Sequence, residues 1–283
     1  MTKPDHPNAA QTQYWNSPLT RMWSSQHEPI DAVFEPLTQV LLGHAAPQNG
    51  EHVLDIGCAS GTTVLALAAR VGPQGHVLGA DISQSSVERA RERIAAAGGR
   101  NAKVILADVS THGFAPKQFD LVFSRFGVMF FADPIATFAR VRAAMKPAGR
   151  LAFAVFRPPE RNPWIMAPVS GVRHLLPPVP TPGPDDPGQF SWADPKRIHR
   201  ILEGARFRDL ELTPHDPDMH VGSSAEEATG FAMTLGPASR GLIDASDDVR
   251  KAVRAGLLAF FQRQAGPTGV VLPGAIWIVK ARA

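Results

Sequence analysis

Between Val53 and Gly61 the chain reads Val-Leu-Asp-Ile-Gly-Cys-Ala-Ser-Gly. An apolar run that ends in a carboxylate and then in closely spaced small residues has the form of a strand turning into a ligand-binding loop. At the carboxyl edge of a parallel sheet, missing side chains let the backbone approach a ligand closely. Spacing alone tests two nucleotide chemistries. A dinucleotide loop, G-x-G-x-x-G counted from Gly57, requires glycine at positions 59 and 62, where the chain has Ala59 and Thr62. A phosphate loop, G-x-x-x-x-G-K-[ST], occurs nowhere in the sequence. A ligand without a pyrophosphate therefore suits the spacing better. Two more carboxylates follow apolar runs: Asp81 in Gly79-Ala80-Asp81-Ile82-Ser83, and Asp108 in Ala107-Asp108-Val109. Taken singly, Asp55 could end a strand, Asp81 could cap the helix that starts near Gln84, and Asp108 could be a turn residue. Three in succession, each at a strand end, make those separate roles jointly improbable.

The elements that must position these residues show in the periodicity. From Glu51 to Arg157 short apolar runs alternate with helical stretches, the pattern of a parallel sheet covered by helices. Strands are predicted over 52–57, 76–82, 102–109, 119–126 and 149–156, and crossover helices over 62–71, 85–97 and 134–145. Gly72-Pro73, Gly98-Gly99 and the Lys146–Gly149 stretch provide the stops. From Arg157 to Gly188 the chain carries ten prolines, which predicts loop or short helix, a cover over something. Helix is expected again over 194–204, then a strand over 207–216, helices over 225–235 and 247–264, and a last strand over 270–282. Ahead of the first strand lie Tyr14, Trp15, Trp23 and a predicted helix over 29–42.

Composition excludes several classes. With 44% apolar and 19% charged residues the chain is of ordinary globular type, neither disordered nor fibrous. No apolar run reaches the roughly 18 to 20 residues of a membrane span. The first eight residues are polar with two prolines, unlike a secretory leader, so the cytoplasm is the expected compartment. A single cysteine, Cys58, rules out an intrachain disulfide and a multi-cysteine zinc site, and no metal is expected. Net charge is +3, and Arg89, Arg91, Arg93, Arg140, Arg142, Arg197 and Arg200 are dispersed as on solvated helix faces. Nucleic-acid binding would need them clustered.

The order of these motifs resembles the class I S-adenosylmethionine-dependent methyltransferases, whose first motif is D-x-G-x-G-x-G after strand one. Here it reads Asp55, Gly57, Ala59, Gly61, with alanine for the middle glycine. The resemblance implies a Rossmann-like α/β sheet of seven strands in the order 3-2-1-4-5-7-6, the last antiparallel, with an N-terminal helical segment and an inserted lid. It implies one domain over 1–283, made of a cap (1–50), a cofactor half (51–157) and lid insertions (158–193 and 213–269). Asp81 would bond both ribose hydroxyls of S-adenosylmethionine, as its two acceptor oxygens allow, and Asp108 would accept the adenine amino proton. Gly57, Cys58, Ala59, Gly61, Ile82 and Val109 would complete that wall, with S-adenosylhomocysteine as the product. Ser124, Arg125 and Phe126 would stand beside the transferable methyl. Ser124–Pro134, Pro147–Leu151, Asn162-Pro163-Trp164, Tyr14-Trp15-Asn16 and Trp23 resemble the bacterial small-molecule branch of ubiquinone and menaquinone C-methyltransferases. In that branch Trp15 would close over the cofactor, and Trp23, His27, Met129 and Trp164 would face the acceptor.

A sulfonium donor is already activated, so holding the acceptor in line can lower the barrier by roughly 7 to 11 kcal/mol, and a dedicated base is not required. No residue is therefore named as catalytic. His27, His174, His215 and His220 lie in segments expected to border the pocket, but each is more often a surface or satisfied histidine than a base. Trp164, Trp192, Phe190, Phe231, Met219 and Met233 in the cover favour an uncharged, hydrophobic small molecule as acceptor, equally with a plain core role. Phe130 and Phe131 read as core. An RNA or protein methyltransferase would share the cofactor motifs but shows no binding module. An NAD(P)-dependent oxidoreductase has the wrong glycine spacing, and a non-catalytic binding protein on this fold stays open, as does a homodimer.

Overall fold

Several helices begin where the sequence supplies an oxygen to meet their first N–H groups. Asp133, Asp194, Ser224 and Ser246 accept from the N–H of Ala136, Lys196, Glu227 and Val249 at 2.9, 2.9, 3.1 and 3.4 Å. Pro134, Pro163 and Pro195 occupy first-turn positions, where a missing N–H costs nothing. The structure, a computed structural model, describes residues 8–18, 20–178, 183 and 185–283. Residues 1–7 and 19 of the expected cap, and 179–182 and 184 of the proline-rich cover, lie outside the described residues.

The elements run α1 (Ala9–Trp15), α2 (Met22–Ser25), α3 (His27–Ala45), β1 (His52–Ile56), α4 (Thr62–Val71), β2 (His76–Asp81), α5 (Gln84–Ala96), β3 (Ala102–Leu106), β4 (Phe119–Arg125), α6 (Pro134–Ala144), β5 (Met145–Phe156) and α7 (Pro163–Val172). Then come α8 (Pro195–Gly204), β6 (Arg208–His215), β7 (Asp218–Gly222), α9 (Ala225–Thr234), α10 (Pro237–Gly241), α11 (Asp247–Gln264), β8 (Ala265–Gly266), β9 (Gly269–Pro273) and β10 (Ile276–Arg282).

Seven strands form one sheet in the order β3-β2-β1-β4-β5-β10-β6, with β10 antiparallel to both neighbours. This is the expected 3-2-1-4-5-7-6 topology, the final strand entering between two earlier ones. Register sets the site: Asp55 pairs with Gly79 of β2 and Phe123 of β4, and Asp81 pairs with Leu106 of β3. The carboxyl ends of β1 to β4 thus finish along one edge, where a doubly wound sheet binds ligands. Helices α3, α4, α5, α6 and α8 pack on the sheet. Phe119, Phe123, Phe138, Phe153 and Trp192 are among the largest fully buried side chains.

Two features differ from the sequence expectation and one agrees with it. The apolar run 270–282 is two strands: Pro273 and Gly274 break it, and β9 joins β7 and β8 in a second, three-stranded sheet while β10 completes the first. The proline-rich segment contains, as expected, a short helix, α7, with Pro163 at its start and Pro168 tolerated inside, both buried or half-buried against its neighbours. Arg197 is buried and paired with Asp185, and Arg93 is ion-paired with Asp31; neither is a solvated helix-face residue.

Candidate active site

A cavity of about 610 Å³ opens at the carboxyl edge of the sheet. Its floor is made by the loops after β1 to β4, and its cover by α1, α2, α7, α9 and α10 with their flanking turns.

The loop after β1 is the most constrained part. Gly57, Ala59 and Gly61 all have left-handed backbone, with φ of 69°, 46° and 83°. At Gly57 a Cβ would also stand 2.8 Å from the Cα of Gly127, so two conditions require glycine there. Ala59 adopts the same region with a side chain, against its steric preference. Beneath the loop Asp55 is fully buried, its Oδ2 accepting from Thr63 Oγ1 at 2.5 Å while Oδ1 has no hydrogen-bond partner among the described residues. Burial pushes its pKa up to about 7, opposed by the Thr63 bond and the Arg125 charge and reinforced by the Asp81 charge.

Asp81 stands on the cavity wall, Oδ2 taking the N–H of Ala59 at 2.9 Å and Oδ1 that of Ser83 at 2.8 Å. The cap of α5 is Ser83, so the capping alternative for Asp81 does not hold. Burial raises its pKa, and the N–H bonds from Ser83 and Ala59 oppose the rise. Asp108 does take a turn role, Oδ1 accepting from Ser110 N–H at 2.8 Å, and it also lines the cavity.

After β4, Arg125 reaches the wall with one N–H on Thr38 Oγ1 at 2.7 Å, Asp31 at 3.8 Å and the Phe34 ring at 5.4 Å. Burial lowers its pKa, while Asp31 and Asp55 favour its charge. Asp31 also holds Arg93 at 3.1 Å and Thr62 at 2.5 Å, and Arg93 bonds Ser60 O at 2.9 Å. This cluster ties α3 to the loop after β1. Phe126, left-handed at φ 65°, stacks parallel on Phe156 at 4.3 Å and lines the cavity. A bulky residue in that region is a strained choice that its surroundings must enforce.

The N-terminal segment docks on the same edge. Asn16 takes the N–H of Gln84 at 2.9 Å and donates to Ile82 O at 2.8 Å. Asn8 takes the N–H of Ala132 at 3.0 Å and donates to Asp108 Oδ1 at 3.4 Å. Trp15 meets Trp23 and Phe130 edge to face at 5.9 and 5.1 Å. On the far side Asn162, fully buried, accepts from Trp164 Nε1 at 3.2 Å and joins both the N–H and the C=O of Ala275, fixing that indole against the start of β10.

Of the residues singled out from sequence, the structure places Trp15, Gly57, Ala59, Asp81, Ile82, Asp108, Val109, Arg125, Phe126, Trp23, Met129 and Trp164 around one cavity. Phe130 and Phe131, read as core, line it too. Five others are off its wall. Cys58 is buried towards β2, where Gly79 leaves room for its sulfur, and burial followed by the Asp81 and Asp55 charges pushes its thiol up. Ser124 is buried, donating to Ile56 O at 2.8 Å and accepting from Gly127 N–H at 3.1 Å, so it ties two loops together. Gly61 starts α4, and Asp55 lies below the loop. His27 bonds Ser24 O at 3.1 Å, and His174, His215 and His220 are likewise absent from the wall. Sequence reasoning missed Asn8, Asp31, Thr63 and Arg93, which lack a motif of their own. Asn16 was visible only as part of Tyr14-Trp15-Asn16.

Comparison with known proteins agrees with this geometry. A family model describing a methyltransferase domain matches residues 47–175. Aklanonic acid methyltransferase of Streptomyces sp. (strain C5) is 37% identical over 151 residues, 50% of this chain and 68% of that protein. Nocamycin O-methyltransferase of Saccharothrix syringae is 31% identical over 211 residues, 72% and 75% of the two chains. The fold matches that of Haemonchus contortus phosphoethanolamine N-methyltransferase 2 in complex with S-adenosyl-L-methionine, with a TM-score of 0.59, 16% identity, and coverage of 99% of this chain and 60% of that one. The chain belongs to the class I S-adenosylmethionine-dependent methyltransferases and transfers a methyl group to a small organic acceptor.

Proposed function

We propose that Gly57, Ala59, Asp81, Ile82, Asp108, Val109, Arg125 and Phe126 hold S-adenosylmethionine in this cavity. The single observation that carries the reading is the register of β1 to β3, which sets a loop of alternating left-handed residues and the carboxylates Asp81 and Asp108 on one wall. That donor set fits the cofactor: Asp81 for the paired ribose hydroxyls, Asp108 for the adenine amino group, and Arg125 for the carboxylate of the methionine portion. Bound there, S-adenosylmethionine supplies a methyl group already activated by a sulfonium charge. The chain's own contribution is to orient and to exclude water. Trp15, Trp23 and Phe130 close one side, and Phe126, Phe156 and Trp164 the other. Helices α1, α2, α7, α9, α10 and α11 act as the cap and lid over the acceptor. A covered chamber of this size suits a small molecule rather than an RNA or protein side chain.

The test is calorimetric titration with S-adenosylhomocysteine and, separately, NADPH. S-adenosylhomocysteine alone is expected to bind. Asp81→Ala should weaken it by about 10- to 100-fold, the worth of hydrogen bonds to a charged group. Asp81→Asn, which keeps acceptor geometry at one oxygen, should lose less. Binding of NADPH in place of S-adenosylhomocysteine, or unchanged affinity in Asp81→Ala, refutes the assignment.

A further inference from the structure

Arg125 follows β4, but its guanidinium is set by α3. Its Nη1 donates to Thr38 Oγ1 at 2.7 Å, its Nη2 stands 3.8 Å from Asp31 Oδ1, and the group lies 5.4 Å over the Phe34 ring. Asp31, Phe34 and Thr38 recur at i, i+3 and i+7, on one face of α3. Thr38 is fully buried and donates its own proton to Phe34 O at 2.9 Å, so its oxygen can only accept from the arginine. Among the described residues the other N–H groups of Arg125 make no hydrogen bond, and the residue lines the cavity.

Asp31 has a second task. Its Oδ2 accepts from Thr62 Oγ1 at 2.5 Å and from Arg93 Nη1 at 3.1 Å, and that nitrogen also donates to Ser60 O and Thr62 Oγ1, both at 2.9 Å. One carboxylate thus stands between two guanidiniums, one holding the loop after β1 and the other facing the cavity. Burial and, more weakly, the Arg93 charge oppose ionisation of Arg125, and Asp31 is the strongest influence that favours it. Without Asp31 two like charges would share a mostly enclosed cluster, and the mobile one, Arg125, would turn away from Arg93. Helix α3 precedes residues 47–175, which the methyltransferase-domain model matches, so this control of Arg125 comes from the N-terminal segment.

We propose that Asp31 and Thr38 are positioning residues for the amino-acid end of the cofactor, fixing the Arg125 guanidinium where the methionine carboxylate meets it. They thereby make the site select the intact cofactor over its adenosine fragment. Holding that end matters for transfer, because the direction of the S–C bond is set only when both ends of the donor are fixed. The proposal rests on the reading of Arg125 as the partner of that carboxylate.

The test is calorimetric titration of the full chain with S-adenosylhomocysteine and with 5′-methylthioadenosine, which keeps the adenosine and the thioether but lacks the amino acid. Asp31→Asn retains an oxygen for Thr62 and Arg93 and removes the charge facing Arg125. It should weaken S-adenosylhomocysteine by about three- to tenfold and methylthioadenosine by less than about twofold. Thr38→Val, close in shape, should shift the ratio of the two constants in the same direction, and Asp31→Glu, which restores the charge, should recover part of the loss. Added to Arg125→Gln, Asp31→Asn should cost almost nothing further, because it acts through that arginine. A merely structural role would weaken both ligands alike or add to the Arg125→Gln loss, and either result overturns the proposal, as does a wild-type ratio in both single variants. If Asp31→Asn does not fold, the ratio in Thr38→Val decides by the same rule. An Arg125→Gln protein that keeps the wild-type ratio is a different result, which removes the reading of Arg125 underneath and the proposal with it.

Discussion

Asp55 and Ala59 show how much the loop after β1 is held against local preference. With a pKa near 7 in the folded protein and the ordinary low value when unfolded, Asp55 binds its proton more tightly in the fold. Its contribution to stability is therefore greatest at low pH, declines as pH rises through about 4 to 7, and is constant above. Arg125 moderates that decline and Asp81 steepens it. Asp55→Asn, neutral throughout, should lose this slope: relative to wild type its melting temperature should be higher at about pH 8 than at about pH 5. A pH-independent difference would mean that Asp55 is not the buried titrating group. Ala59 is the simpler case. Its left-handed backbone costs about 1 kcal/mol that glycine does not incur, partly offset by glycine's extra unfolded-state entropy. Ala59→Gly should raise the urea midpoint or leave it unchanged, whereas Gly57→Ala should lower it sharply because its Cβ meets Gly127.

At the scale of elements, α1 is short and bears no buried apolar residue, so its position depends on Asn8 and Asn16 more than on packing. Asn16→Ala should speed proteolytic cleavage near residue 20 and raise the dissociation constant for S-adenosylhomocysteine by about three- to tenfold, with little change in the melting temperature. Elements with strong local signals were legible. Helix 62–71 is found at its predicted bounds because Gly61 and Gly72 mark both ends, and 247–264 because Ser246 opens it. Strand β7 was not read, since Asp218–Gly222 is too short to show alternation. Strands β9 and β10 were merged because their residues are equally apolar and β-branched, and only tertiary pairing tells which sheet each joins. The site was legible in the same uneven way. Spacing reveals which residues lie at strand ends but not where a side chain turns, so it does not tell that Cys58, Ser124 and His27 lie off the cavity wall. Arg240 and Arg250, which also line the cavity, were invisible because nothing in their local sequence refers to it.

For the molecule as a whole, cofactor affinity and fold depend on one sheet whose order differs from chain order. No helix among the described residues is long and apolar enough to cross a membrane. The order itself carries a further consequence. Strand β6 bonds only to β10, and β10 lies in the chain beyond both lid and second sheet. During synthesis the edge of β5 must therefore stay open, and β6 must wait without a neighbour, until Ile276–Arg282 leave the ribosome. A chain ending at Gly274 should accumulate as insoluble protein rather than as a weakened enzyme, which sedimentation of the expressed truncation would show. Completion of the sheet thus acts as a late checkpoint: a nascent chain exposes two strand edges to chaperones until its final strand arrives, and only a chain carried through to β10 can hide them.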